Sequence, residues 1–382
     1  MSLHVVEALE ALERSFMVST LAMPRLPQWH RSELAGAIRR GATSYPLRFS
    51  YPDIPLGEYL AALEEVHRRV DRDVAGDLCR VVGAEIEGRA AWARAVLSRD
   101  ATAFSEVEAR IKGLPPVEVV EEARRIAETP PADREVCDGE VPAEQMVELA
   151  ERALSAYGIA DWTVQVSDAM AARVSVNGAL RRVRVRARET FSRHVAERLL
   201  VHEIGGHVLR WVNSRRQPEP LAQVPLGATV PTEEGLALWL EDRFGYLDDA
   251  ALRTYAARVL AVEAARTHGI VEVVRSVADI VGLEAAVEIG IRVKRGLVNP
   301  NDPGGSTKDW GYLGGLLRVR AIADVDPADV SLLQGVKWSA DHLALARSLA
   351  IDKRIVRPVL SAQRRLLLPG DRDGRATPSQ KG

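Results

Sequence analysis

Apolar residues recur at helical spacing through the first third of the chain. Between residues 57 and 128 they return every three or four positions, which predicts amphipathic helices. One such series is Leu60, Leu63, Val66 and Val70. The stretch 117–127, after two prolines, predicts a further helix. We therefore expect residues 1–135 to form a helical N-terminal region, either an independent domain or a lid over a cleft.

The pattern changes after a connection at 129–139 that is rich in Pro, Gly and Asp. Residues 162–166 predict a short strand. A hairpin is predicted from two further strands, 172–176 and 180–186, because Asn177-Gly178 between them supplies the residues of a tight primed turn. Arginine and valine alternate along 182–186, so one face should be buried and the other solvated.

Helical spacing then returns. Ser192 is a good N-cap for a long helix that continues past His207. Further helices are predicted at 143–157, 232–244, 249–267, 271–278 and 283–296. We expect an α+β, mainly helical fold with a domain at 136–368 and a disordered tail at 369–382.

Composition narrows the class of protein. The 382 residues carry 51 Lys plus Arg and 53 Asp plus Glu, a net charge of -2, which argues against nucleic-acid and membrane partners. The sequence also lacks a signal-peptide pattern and any apolar run of about 18 residues. Its two cysteines, Cys79 and Cys137, cannot build a disulfide framework. We expect a cytoplasmic protein, and the sequence carries no signal for an oligomeric state.

The chemistry is concentrated in one segment of the long helix. His202, Glu203 and His207 form an H-E-x-x-x-H pattern, one residue longer than the H-E-x-x-H of most zinc peptidases. On a regular helix this spacing places the two imidazoles about 140° apart, too far to share one ion. A π-bulge would absorb the extra residue, and Gly205-Gly206 makes such a distortion least costly. The alternative is two unrelated histidines on a helix.

A catalytic zinc ion needs a third protein ligand. The following helix opens with Pro231-Thr232 and carries the acidic pair Glu233 and Glu234. Glu234 is the candidate ligand. Taken alone, however, these acids are better explained as partners of the helix dipole.

Together these segments resemble a known family. His202-Glu-Ile-Gly-Gly-His-Val-Leu-Arg210 followed by Thr232-Glu-Glu-Gly-Leu-Ala237 is similar to the bacterial flavohemoglobin expression-modulating QEGLA motif proteins. That family also contains the microtubule-associated tyrosine carboxypeptidases of animals. The resemblance extends from about residue 45 to 368 and includes Arg292-Val-Lys-Arg-Gly296 and Thr307-Lys-Asp-Trp-Gly-Tyr-Leu-Gly-Gly315.

The resemblance implies a gluzincin-like metallopeptidase fold with a small mixed or antiparallel sheet and a long HExxxH helix. It implies that His202, His207 and Glu234 bind Zn²⁺ and that Glu203 is the catalytic glutamate. Two residues depart from the family pattern. Glu233 replaces the Gln of the motif name, which adds negative charge near the metal, and Gly206 replaces a bulkier residue, which we expect to loosen the helix.

Other site residues are candidates because they lie in the motif-bearing segments. Tyr312 is the candidate donor to the oxyanion, or else an ordinary packed aromatic. Lys308, Arg210 and Arg295 are candidates for binding a substrate carboxylate, with Lys308 preferred; ordinary surface or helix-pairing charges are the alternative. The edge of the hairpin at 172–186 could align an extended peptide, or could simply be a charged edge that resists aggregation.

These features predict a zinc-dependent peptidase, a carboxypeptidase that acts on the C-terminus of a peptide or protein, with Glu203 as general base. Two alternatives stay open. One is a zinc amidohydrolase acting on a small metabolite or a carrier-linked amide. The other is a non-catalytic regulatory or binding protein that retains the site.

Overall fold

The computed structural model describes residues 2–16, 18, 21–26, 29–130, 139–168, 170 and 172–368. Most of the predicted connection, including Cys137, and the predicted tail at 369–382 lie outside the described residues. Among the described residues, no helix combines the length and the apolar composition that crossing a bilayer requires.

Helices make up most of the described chain. They are α1 Ser2–Phe16, α2 Trp29–Arg39, α3 Leu56–Asp73, α4 Gly76–Ser98, α5 Ala101–Lys112, α6 Val117–Glu128, α7 Ala143–Ala156, α8 Arg193–Leu200, α9 Leu209–Arg215, α10 Thr229–Arg243, α11 Asp249–Ala265, α12 Ile270–Val281, α13 Leu283–Lys294, α14 Gly311–Val325, α15 Pro327–Gly335, α16 Leu343–Ile351 and α17 Arg364–Leu367. The mainly helical α+β class predicted from the sequence is confirmed.

The strands are short and form two sheets. They are β1 Glu140–Pro142, β2 Thr163–Ser167, β3 Val174–Asn177, β4 Arg182–Arg186 and β5 Thr190–Ser192. One sheet pairs β1 with β5, and the other has the order β2-β4-β3, with β2 parallel and β3 antiparallel to β4. The predicted small sheet is thus present, and β3 is an edge strand with no second strand partner among the described residues.

The predicted hairpin forms, but its turn differs from the prediction. Asn177 pairs with Arg182, so four residues connect the strands, and Arg181 takes the positive φ of 48°. Gly178 is needed for space: a Cβ there would lie 2.3 Å from Cδ1 of Trp211 on α9. Close packing against an indole, not turn geometry, explains this glycine.

The N-terminal helices pack on the rest of the chain. The helical spacing around Leu63, Val66 and Val70 buries these residues in a core that also contains Leu221 and Trp338. Helix α6 packs along α11, and α1 contacts the 3₁₀ turn Pro220–Gln223. Whether residues 1–135 constitute a separate domain stays a prediction.

The helix that bears the two histidines contains the predicted distortion. Ser192 caps α8, its Oγ accepting from the Val195 amide at 3.3 Å. The backbone then continues through a π-helical segment, Val201–Val208, before returning to α-helix in α9. The predicted accommodation of the long spacing is confirmed.

Two glycine contacts bring the neighbouring helices unusually close. A Cβ on Gly206 would lie 2.6 Å from Cβ of Ala237 on α10, and a Cβ on Gly235 would lie 2.3 Å from the Gly315 backbone on α14. Gly206 thus permits α10 to approach the π-helical segment, which places the acidic pair of α10 beside the histidines. The expectation that Gly206 loosens the helix finds no support in this packing.

Candidate metal centre

Three side chains from two helices converge beneath the π-helical segment. Single ligand atoms of His202, His207 and Glu234 all lie within 4.8 Å of one another. Oε2 of Glu234 lies 3.4 Å from Nε2 of His202 and 3.6 Å from Nε2 of His207. Glu234 lies in the second turn of α10, beyond the first turn where acids offset the helix dipole.

Each imidazole turns its other nitrogen toward a second carboxylate. His202 Nδ1 lies 2.7 Å from Oε1 of Glu241, a hydrogen bond in which the imidazole donates because a carboxylate accepts. His207 Nδ1 lies 3.5 Å from Oε1 of Glu233. A carboxylate hydrogen-bonded to Nδ1 fixes the ring of a metal-binding histidine and leaves Nε2 as the ligand atom, as at His202. Nδ1 of His207 has no hydrogen-bond partner among the described residues.

The charges of the cluster favour a cation at its centre. Burial alone would lower the pKa of His202, but Glu234 and Glu241 outweigh it and raise that pKa well above its usual value. Burial would likewise lower the pKa of His207, but Glu233 and Glu234 raise that pKa above its usual value. Burial would raise the pKa of Glu234, yet Lys308 and the two histidines hold it well below its usual range.

The donor set fits a divalent metal. Two ligands at about 2.0–2.1 Å from a tetrahedral ion lie about 3.3–3.4 Å from each other, close to the two distances between Glu234 and the imidazoles. Oε2 of Glu234 is also buried without a hydrogen-bond partner among the described residues. Such an orphaned oxygen is explained by an ion between it and the imidazoles. Two imidazoles and one carboxylate are a donor set that suits zinc.

Glu203 is buried next to this cluster, with 9% of its surface exposed. Burial raises the pKa of its carboxyl, the two histidines lower it, and Glu234 raises it further; the net pKa is raised. A carboxylate with a raised pKa is suited to accepting and returning a proton. The structure thus brings all four residues of the predicted centre together.

Lys308 and Tyr312 lie on one side of the cluster. Nζ of Lys308 is 3.4 Å from Oε1 of Glu234. Burial would lower the pKa of Lys308, but Tyr312 and Glu234 raise it, so the ammonium stays charged. The Tyr312 ring stacks on Tyr255 with centroids 5.3 Å apart, and the Arg258 guanidinium lies 4.6 Å from its centroid.

Arg295 and its neighbours form a basic patch on the same side. Arg292 holds the buried Asp309 with two hydrogen bonds of 2.7 and 2.9 Å, and NH2 of Arg295 lies 3.4 Å from the same carboxylate. Lys112 lies close enough that Arg295 and Lys308 contribute to lowering its pKa, although burial lowers it most. Arg295 is therefore held near Lys308 by Asp309.

Arg210 occupies a different place from the one predicted. It is 1% exposed, and its guanidinium donates to the carbonyls of Leu333, Val336 and Trp338 and to Glu233. This engagement is the physical reason that a substrate carboxylate cannot reach it. Arg210 instead neutralises Glu233, together with Lys337. The extra charge at Glu233 is thus balanced within the protein.

The N-terminal helices support the loop that carries Lys308. Glu108 on α5 is fully buried and accepts from the Ser306 hydroxyl at 2.9 Å and the Thr307 amide at 3.2 Å. It also binds the Lys112 ammonium and accepts from Trp92 Nε1 at 2.6 Å. One carboxylate thereby links α4 and α5 to the loop just before Lys308.

Sequence reasoning did not select Glu241, Glu108 or Lys337. Glu241 lies seven residues after Glu234, two helical turns along the same face, so that spacing could have identified it. Glu108 and Lys337 are distant in sequence from the motif and nothing in the local pattern marks them. Their roles depend on tertiary packing.

Comparison with known proteins agrees with the geometry. The sequence model of a family described as microtubule-associated tyrosine carboxypeptidase matches residues 43–365. Microtubule-associated tyrosine carboxypeptidase 1 of Mus musculus is 37% identical over 131 residues, which are 32% of this chain and 27% of the relative. The Homo sapiens protein of the same name is 35% identical over 156 residues, 38% of this chain and 32% of the relative. The aligned stretches thus span about a third or less of these relatives.

Proposed function

The chain belongs to the microtubule-associated tyrosine carboxypeptidase family, and we propose that it is a zinc-dependent carboxypeptidase that acts on the C-terminus of a peptide or protein. The observation that carries the proposal is the convergence of His202, His207 and Glu234 beside the buried Glu203. The family and the relatives' names support a carboxypeptidase, and the donor set supports a metal-dependent one.

In this proposal the histidines and Glu234 hold the zinc ion, within a gluzincin-like arrangement of two metal-bearing helices. A bound zinc ion lowers the pKa of a coordinated water to about 7 and polarises a carbonyl group. Glu241 keeps the imidazole of His202 oriented through Nδ1. Arg210 and Lys337 hold Glu233, whose Oε1 faces Nδ1 of His207 at 3.5 Å.

Glu203 is the proton carrier. Its carboxylate, buried beside the two histidines, takes a proton from the attacking water and passes it to the nitrogen of the leaving residue. The Tyr312 hydroxyl donates to the oxygen that becomes negative as the tetrahedral intermediate forms. Stacking on Tyr255 holds the Tyr312 ring in one orientation.

The terminal carboxylate of the substrate binds at the basic patch. Lys308 is the principal partner because its ammonium lies beside Glu234, and Arg295, which Asp309 holds near Lys308, is the second. A carboxylate bound there places the last peptide bond near the metal centre. This requirement for a free terminal carboxylate separates a carboxypeptidase from an amidohydrolase acting on small metabolites.

The test combines metal content with hydrolysis. We expect about one zinc per purified chain by mass spectrometry after dialysis, lost in His207→Ala and retained in Glu203→Gln and in the control His4→Ala, whose side chain is exposed. Wild-type protein should release free C-terminal residues from a peptide library, and Glu203→Gln should lose at least a hundredfold in kcat/KM.

Other results would favour the alternatives. Hydrolysis of peptides with amidated C-termini at an undiminished rate would favour an amidohydrolase. A biological effect that survives Glu203→Gln would favour a binding protein. Absence of zinc, with none recovered on titration, would overturn the metal centre itself.

A further inference from the structure

A large cavity lies between the N-terminal helices and the hairpin. Its volume is about 600 Å³, within the range of about 300–1,000 Å³ in which proteins bind whole drug-sized ligands. Val6 and Leu9 of α1 lie in its lining, and three aromatic rings contribute to other parts of it. These rings belong to Tyr59, Trp92 and Trp211. The cavity therefore offers an apolar, aromatic surface with room for more than one side chain.

Two lysines of the cavity lining connect it to the candidate metal centre through carboxylates. Lys337 binds Glu233, whose Oε1 is 3.5 Å from Nδ1 of His207. Lys112 binds Glu108, which also accepts from the Thr307 amide, one residue before Lys308. The cavity is thus one side chain removed from the segment that carries Lys308, within reach of a chain whose terminus is bound there.

Its charged residues are paired with the protein's own groups. Glu10 binds Arg215, and Glu85 and Arg89 bind each other at 3.0 Å. Lys112 and Lys337 bind Glu108 and Glu233. A charged guest would have to give up its hydration without gaining a free counter-charge from these pairs, so the lining favours uncharged guests.

Two features can bind a peptide backbone. The Arg186 amide donates to the Arg173 carbonyl at 2.8 Å, so in the alternating antiparallel pattern the backbone groups of Val176 point away from β4, toward the free edge. Val176 lines the cavity. So does Gln223, whose Oε1 is buried and accepts no hydrogen bond from the described residues.

One wall of the cavity lies outside the segment that the family model matches. Helix α1, Ser2–Phe16, precedes residue 43, where that match begins.

We propose that this cavity binds an apolar, uncharged segment of the substrate polypeptide immediately upstream of the C-terminal residue that is removed. The proposal rests on the proposed function for the position of the cleaved bond. The segment pairs with Val176 as an added strand and places aromatic or aliphatic side chains against Trp92 and Trp211. The preferred substrates therefore have hydrophobic, not acidic, residues before the last position.

The test uses peptides that share one C-terminal residue and carry Phe, Leu or Glu at the two preceding positions. We expect kcat/KM to be about tenfold or more higher for the Phe and Leu peptides than for the Glu peptide. Binding is measured separately on zinc-loaded Glu203→Gln protein, from quenching of tryptophan fluorescence by a 4-nitrophenylalanine peptide.

Two variants fill the cavity from opposite walls. Ala179→Trp places an indole at the hairpin turn, and Gly88→Leu fills space from α4 while improving helix propensity, so it should fold. Each should raise Kd and KM for the apolar peptides about tenfold and leave the Glu peptide within about twofold. The matched control is Ala187→Trp, in the turn after β4 at the other end of the sheet, which does not line the cavity.

The outcomes separate the two proposals. Hydrolysis without upstream preference, or a preference that persists in both filled variants, overturns the cavity proposal and leaves the carboxypeptidase standing. Apolar binding that is lost in the filled variants, with no hydrolysis by wild-type protein, supports the cavity and overturns the enzyme. If neither binding nor hydrolysis occurs, both are wrong.

Discussion

His202 and His207 present Nε2 to the same oxygen of Glu234 and turn Nδ1 toward different carboxylates. For His202, the hydrogen bond to Glu241 determines the tautomer and the orientation of the ring. Nδ1 of His207 faces Glu233 at 3.5 Å and makes no hydrogen bond with the described residues. The two outer carboxylates are not equivalent. Glu233 is neutralised by Arg210 and Lys337. Among the described residues, Glu241 has only the more distant Arg198, at 3.9 Å, as a cationic partner besides His202.

Replacing Glu241 should weaken metal binding without removing a ligand. We expect Glu241→Ala to lower zinc affinity about 10- to 100-fold, because the ring of His202 loses its fixed orientation. Glu241→Gln keeps an oxygen acceptor and should restore part of the affinity. Zinc affinity measured by competition with a chromophoric chelator checks this, with the exposed neighbour Asp242→Ala as control. Equal affinity in Glu241→Ala and wild-type protein would contradict the role.

The buried pair of Asp309 and Arg292 gives a prediction about stability and pH. Burial would raise the pKa of Asp309, but Arg292 and Arg295 lower it far below its usual value. The contribution of the Asp309 carboxylate to the free energy of unfolding is therefore complete above about pH 4, the pKa of Asp in an unfolded chain. It is lost as the pH falls toward the lower pKa that Asp309 has in the folded protein.

We therefore expect Asp309→Asn to lower the free energy of unfolding by about 3 kcal/mol at pH 7, and the difference from wild type to shrink as the pH is lowered below about 4. Urea denaturation at several pH values measures it. The exposed pair of Asp161 and Arg181 is the control, and Asp161→Asn should cost less than about 1 kcal/mol. A difference that does not depend on pH would argue against the ion pair.

Among the secondary-structure elements, the sequence predicted those whose conformation depends on neighbouring residues in the chain. The spacing of His202 and His207, with two glycines between them, was enough to predict a π-helical distortion, because only that brings both imidazoles to one side. Helix α10 was predicted as well, but Glu234 became a convincing ligand only once α10 lay against the π-helical segment. The prediction of a tight turn at Asn177-Gly178 was wrong, because Gly178 is required by the close packing of Trp211, a residue distant in sequence.

The contact of Gly206 with Ala237 determines how closely these two elements approach. A methyl group on Gly206 would lie 2.6 Å from Cβ of Ala237, whereas one on Gly205 would meet the flexible end of Leu367 at 3.0 Å. Gly206→Ala should therefore separate the helices, cost about 1–3 kcal/mol of stability and reduce zinc affinity. Gly205→Ala is the matched control and should cost less. Thermal unfolding with and without zinc measures both, and equal effects would contradict this role of the close approach.

For the whole molecule, the main question is how residues 1–128 relate to the metal centre. Glu108 is fully buried between α4, α5 and the loop that precedes Lys308. The cavity between the N-terminal helices and the hairpin is connected to His207 by Lys337, which lines it, and by Glu233. The sequence showed two segments of different pattern and could not reveal these links, because each joins residues far apart in the chain. The contacts argue that the N-terminal helices complete the site.

Glu108→Gln tests this dependence. The substitution leaves the Lys112 ammonium buried without its carboxylate, so we expect a loss of about 3 kcal/mol in stability and a higher KM for peptides that bind through Lys308.

When the zinc-loaded protein is unfolded, zinc release and loss of helix should occur in one transition, followed by a zinc-sensitive dye and by circular dichroism. Glu106→Gln, exposed on the same helix, is the control. Two separate transitions, with zinc retained after the first, would instead support an independent N-terminal domain, since the metal centre would then survive without these helices.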